Sequence, residues 1–115
     1  MRNPFRASVS LLVALTLAAG VASAGEGKTP LGKWMKKHMG TQLAGQDFAG
    51  LKESLDLVGQ KPPPSGSYPK WVSMCQTGSA AAAKQDVAGV KAACKACHDT
   101  YKEQYIKEFP TREFP

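Results

Sequence analysis

The chain is poor in cysteine, with 3 in 115 residues, an odd number that no secreted disulfide framework can absorb completely. Runs of Val, Ile and aromatic residues alternating with polar ones are absent, so nothing signals a half-buried sheet. Beyond residue 24 no apolar stretch is long enough to span a bilayer, and no internal sequence repeat is visible. At 115 residues there is room for one small domain, which excludes a two-domain enzyme built around an interdomain cleft. Charge of one sign is not concentrated enough to argue for nucleic-acid binding. With 43% hydrophobic and 21% charged residues, the composition is that of an ordinary globular chain and unlike a disordered one.

What is present begins with an export signal. Residues 1–24 carry Arg2 and Arg6, then an apolar run over residues 7–19, then the small-residue pattern Ala22-Ser23-Ala24. A positive start, a short apolar core and small residues at the end define a cleavable secretory signal. The working domain is then expected to be residues 25–115, with periplasmic location and no stable membrane insertion. It retains 13 basic and 9 acidic side chains, a formal charge of +4. That mild excess suits docking on partners with acidic surfaces. At 91 residues the domain is near the size where a core alone is marginal and a covalent staple, metal or cofactor is often added.

The working domain reads as four helices. Thr29-Pro30 starts the first, a hydroxyl cap followed by proline at the first helical position. Leu31, Trp34, Met35, His38 and Met39 share one of its faces, and it is expected to run to about Leu43. Asp47 caps a second helix with Phe48, Leu51, Leu55 and Val58 on one side, and Gly59 is expected to end it. Residues 59–68 hold three consecutive prolines and form the one clear loop. Pro69 is expected to open a third helix containing Trp71, Met74 and Cys75. Asp86 caps a fourth, in which Val87, Val90, Cys94, Cys97, Tyr101 and Tyr105 recur at spacings of three and four, until Pro110 stops it. Residues 110–115 are expected to be loose, with the second Phe-Pro able to dock on the body. Short connections between four such helices predict an all-α, antiparallel up-and-down four-helix bundle. A three-helix arrangement with the first helix lying across the others is the competing layout.

The segment Cys94-Lys95-Ala96-Cys97-His98 is the C-x-x-C-H pattern of covalent haem attachment. Each cysteine sulfur can add to one haem vinyl group, and the adjacent histidine then serves as proximal iron ligand. On a helix Cys94 and Cys97 lie one turn apart and His98 four residues from Cys94, so all three can face one flat group. A haem c bound this way would supply apolar surface that a short chain lacks. Two other chemistries use the same residues. A dithiol redox pair would need a lowered thiol pKa, usually at a helix N-terminus after a strand. A zinc site would take Cys94, Cys97, His98 and a fourth ligand such as Cys75 or His38.

The position of the motif in the last of four helices resembles the class II c-type cytochromes, the cytochrome c prime family and its low-spin relatives. The run VKAACKACHDTYK, residues 90–102, is similar to the family's haem-binding segment, with Tyr101 and Lys102 at positions where an aromatic and a basic residue often stand. The first helix, residues 31–39, resembles the family's first helix, which faces the open side of the haem. The resemblance implies one haem c held by Cys94 and Cys97, His98 as proximal iron ligand, and Met35 as distal ligand with Met39 the runner-up and His38 third. It further implies a periplasmic one-electron carrier, not an enzyme, working with redox partner proteins as monomer or homodimer. The alternative within the family is a five-coordinate protein that binds NO or CO. A peroxidase-like reading finds no distal His and Arg pair. Cys75 falls outside the haem scheme and is expected to be a small buried residue facing another helix.

Overall fold

The Thr29 hydroxyl accepts the Gly32 N–H at 3.0 Å and Pro30 occupies the first helical position, so the first helix begins where its cap residues place it. The computed structural model describes residues 28–115, and the expected export signal lies outside the described residues. Helix α1, residues 30–44, is α-helical over Pro30–Met35, π-helical over Lys36–Gly40 and α-helical again over Thr41–Ala44. Within the π-helical turn the Thr41 hydroxyl donates to the Lys37 carbonyl at 2.9 Å. Helix α2 spans Phe48–Gln60, α3 spans Trp71–Ala83 and α4 spans Val87–Glu108. No strand occurs among the described residues. Among the described residues the fold is all-helical, with four helices compatible with a bundle.

The corners α1–α2 and α3–α4 are built alike. After α1, Gln46 stands in the left-handed region at φ 53°, its N–H bonds Leu43 O at 3.2 Å, and the Asp47 N–H bonds Gln42 O at 2.8 Å. After α3, Gln85 stands at φ 57°, its N–H bonds Ala82 O at 3.0 Å, and the Asp86 N–H bonds Ala81 O at 2.9 Å. Each is a Schellman closure of the spent helix. Each aspartate then caps the next helix, accepting from Gly50 N and Gly89 N at 3.0 Å. The same five-residue pattern, Gln-Asp-apolar-Ala-Gly, makes both corners at residues 46–50 and 85–89, a short repeat where the sequence was expected to hold none.

Two boundaries differ from the sequence expectation. Gly59 does not end α2; it lies inside the helix, where a Cβ would stand 3.0 Å from the Cys75 Cβ. Its missing side chain lets α3 approach, and Gly78 does the same from α3, where a Cβ would meet Leu55 and Ala93 at 3.2 to 3.3 Å. Pro69 does not open α3 either, since Tyr68, Pro69 and Lys70 form a turn and the helix starts at Trp71. The Trp71 indole N–H donates to Val58 O at 2.8 Å, and the Lys70 N–H donates to the Tyr101 hydroxyl at 2.7 Å.

The core falls into two clusters. One holds Leu31, Val58, Tyr68, Trp71, Cys75, Tyr101 and Tyr105; the other holds Leu51, Ala82 and Val90, with Leu43 and Phe48 against it. The C-terminal residues are docked rather than loose, and the second Phe-Pro packs on the body as it was expected to be able to. Phe109 packs on Tyr105 with ring centroids 5.7 Å apart, and the Phe114 ring meets Trp34 edge-on at 4.9 Å. Between these rings the Arg112 guanidinium donates to Lys61 O at 2.9 Å and Pro62 O at 3.2 Å. Backbone approach is extensive between α2 and α3 and between α3 and α4, and sparse between α1 and α4.

Candidate haem-binding cleft

Where α1 and α4 fail to close on one another there is a cavity of about 280 Å³, set in a wider cleft open to solvent. Met35, Met39 and Leu43 line it from α1, and Cys94, Cys97 and His98 from α4. Leu51, Leu55 and Val58 of α2 and Trp71, Met74 and Cys75 of α3 form its floor. Nearly every wall is apolar, because the helices turn their three-and-four-spaced apolar residues inward. The structure therefore brings together five of the six residues singled out for cofactor attachment and ligation. His38 is not among the cavity-lining residues; its ring lies 4.9 Å from Trp34 on α1.

Cys94 and Cys97 are half-buried on one face of α4, about two turns from its start, and His98 follows at the cavity edge. Burial pushes the Cys97 thiol up to about 11, with nearby Cys94 adding to the shift, and burial raises Cys94 as well. Cys75 is buried against Gly59, and its thiol is pushed up to about 12, chiefly by burial. Burial raises both thiols of the motif, the opposite of the lowering that a dithiol redox pair needs, which counts against the dithiol reading. Cys75 is the small buried residue expected of it, and it also contributes to the cavity floor. All three cysteines are free in this structure. Among the described residues no group of three or more His, Cys, Asp or Glu side chains is arranged to hold a metal ion, which weakens the zinc reading.

The donor set fits a covalently held haem better. Two thiols one turn apart, an imidazole beside the second and two thioether sulfurs from another helix open into one apolar space. Met35 is the last α-helical residue before the π-helical turn that carries Met39. π-helical turns inside α-helices are frequent at functional sites. Both sulfurs remain candidates for the distal position on geometry alone.

One feature of the cleft escapes the sequence reading. Tyr105 is 5% exposed and lines the cavity, and its hydroxyl is buried with no hydrogen-bond partner. The signal was present, since Tyr105 lies seven residues beyond His98 on the same helix and so on the same face. Only the fold shows that its hydroxyl is unpaired, whereas that of Tyr101 is bonded. In comparisons with known proteins the chain matches no family model, no curated protein and no solved structure.

Proposed function

We propose that the chain is an exported, periplasmic monohaem cytochrome of the c type, and that it acts as a one-electron carrier rather than as an enzyme. The observation that carries this reading is the shared cavity: Cys94, Cys97 and His98 line it from α4, and Met35 and Met39 from α1, where the two helices stay apart. In this reading the four helices run up and down, antiparallel, with corners of three residues at 45–47 and 84–86.

The bound haem c would supply the one-electron couple of its iron. The Cys94 and Cys97 sulfurs would hold it covalently, and the His98 imidazole would bind the iron as proximal ligand. Met35 would present a soft, neutral thioether on the other side, which favours the ferrous state and raises the potential. Leu51, Leu55, Val58 and Val90 exclude water from that space and lower its polarity, which acts in the same direction. Lys36 and Lys102 also line the cleft, while Lys33, Lys37 and Lys91 are exposed on α1 and α4. They are placed to guide redox partners with acidic surfaces, by long-range attraction more than by tight contact. Lys95 is already paired with Asp99 at 2.6 Å and offers less.

Expression in a host competent for c-type maturation tests the reading. The colour should stay with the protein through acid–acetone extraction, and the mass should exceed the chain by one haem. Ferric protein should be low-spin with the absorption band of a methionine–iron bond. Met35→Ala should turn it high-spin and make the reduced form take up CO. Met39→Ala should keep the spectrum and cost about 2 kcal/mol of stability through lost packing. A colourless protein overturns the reading. A wild type that is already high-spin and binds CO at once makes Met35 a packing residue and favours NO or CO binding as the function.

A further inference from the structure

The cavity is not uniform along α4. Towards the start of that helix its walls are Val90 and Ala93, joined by Leu43 and Leu51, all apolar. Towards the end they are Tyr101, Lys102, Tyr105 and Ile106, so polar groups join the apolar ones there. Lys36 from α1 also reaches the cavity, and Leu31 and Met35 pack in the same cluster as Tyr101 and Tyr105. A tetrapyrrole tethered through its two vinyl groups has an apolar edge at the tether and carries its two carboxylates on the opposite edge. Burying a carboxylate among Val90, Ala93 and Leu51 would leave it without partners, at a cost of several kcal/mol. At the other end a buried phenolic donor lacks a partner, and such a group is itself costly unless something satisfies it. Tyr105 lies eight residues past Cys97, about 12 Å along the helix axis at ~1.5 Å per residue. It is thus displaced from the tether towards the polar end.

We infer that the Tyr105 hydroxyl is a positioning group of this cleft, donating a hydrogen bond to a carboxylate of the bound tetrapyrrole and so fixing which way round its polar edge lies. The inference rests on the haem reading above. It adds what the attachment motif does not supply, a reason for one orientation of the carboxylate edge.

The test compares holoprotein with Tyr105→Phe, which keeps the ring stacked on Trp71, 5.8 Å away. Resonance Raman spectra report the bending mode of the haem carboxylates, and potentiometry against pH reports their acid pKa. In wild type the bending mode should shift in deuterium oxide. Tyr105→Phe should abolish that shift and raise the redox-linked acid pKa by about one unit, since the anion loses a donor. The inference is overturned if wild type carries covalent haem yet Tyr105→Phe matches it in both measurements, or if wild type shows no deuterium shift. If wild type carries no covalent haem at all, the haem reading itself has failed, and the pyridine haemochrome assay distinguishes that case at the outset.

Discussion

Asp56 is a small example of how one side chain ties helices together. Its carboxylate accepts from the Lys52 ammonium at 2.8 Å within α2 and from the buried Ser79 hydroxyl of α3 at 2.6 Å. Both bonds favour the charged form, Lys52 more than Ser79, and hold the carboxyl below its ordinary value of 3.8. A carboxyl lowered in the folded state contributes stability that is present above the unfolded value and is lost as pH falls through the folded one. Asp56→Asn should therefore lower the urea midpoint at pH 7 and lose that penalty progressively below about pH 4. The effect should stay under about 1 kcal/mol, because the pair is partly exposed. A midpoint difference that does not change with pH would mean that the hydrogen bond to Ser79 matters through shape rather than charge. Locally determined features of this kind were legible in the sequence. The caps at Thr29, Asp47 and Asp86 each need only a side-chain oxygen and an N–H three residues on. The attachment motif needs only one helical turn. Which of Met35 and Met39 would serve as a ligand in the cleft was not legible, because both line the same cavity and the π-helical turn that carries Met39 begins just after Met35.

At the scale of elements, glycine carried the information that local reading could not resolve. Gly59 looked like a helix end because glycine often is one, and only the approach of Cys75, sixteen residues later, makes it a packing position instead. The paired corners contain a more testable case. At Gly89 a Cβ would collide with the Asp86 carboxylate that caps α4 and would stand 3.0 Å from the Ala81 Cβ. Gly50 is crowded in the same way by Asp47 and by the Gln42 side-chain nitrogen. Helix propensity alone says that alanine should stabilise such a position by about 1 kcal/mol. The corner geometry says the reverse for Gly89→Ala. The cap bond must be given up, at about 1 kcal/mol, and Ala81 must also move. Thermal unfolding of Gly89→Ala should show a net loss of roughly 1 kcal/mol; a rise in melting temperature would show that the corner relaxes freely.

Over the whole molecule, contacts between residues far apart in sequence decide how α1 is held. Phe114 on Trp34 joins positions eighty residues apart, a pairing that no periodicity could announce. With so little backbone contact between α1 and α4, the docked C-terminal residues are a principal fastening for α1. Deleting residues 110–115 should speed amide hydrogen exchange in residues 30–44 by roughly two- to tenfold relative to α2 and α3, the worth of one lost aromatic pair. Equal exchange in both forms would assign the fastening to Leu31 and Met39 instead. The cleft has two unequal walls. Helices α2, α3 and α4 pack closely in chain order and brace one wall, while α1, with sparse backbone contact to α4, is the lightly held one. A guest bonded to α4 and merely coordinated by α1, as proposed above, would respond unequally to opening. Outward motion of α1 would then break the proposed methionine bond first and leave the guest riding on α4.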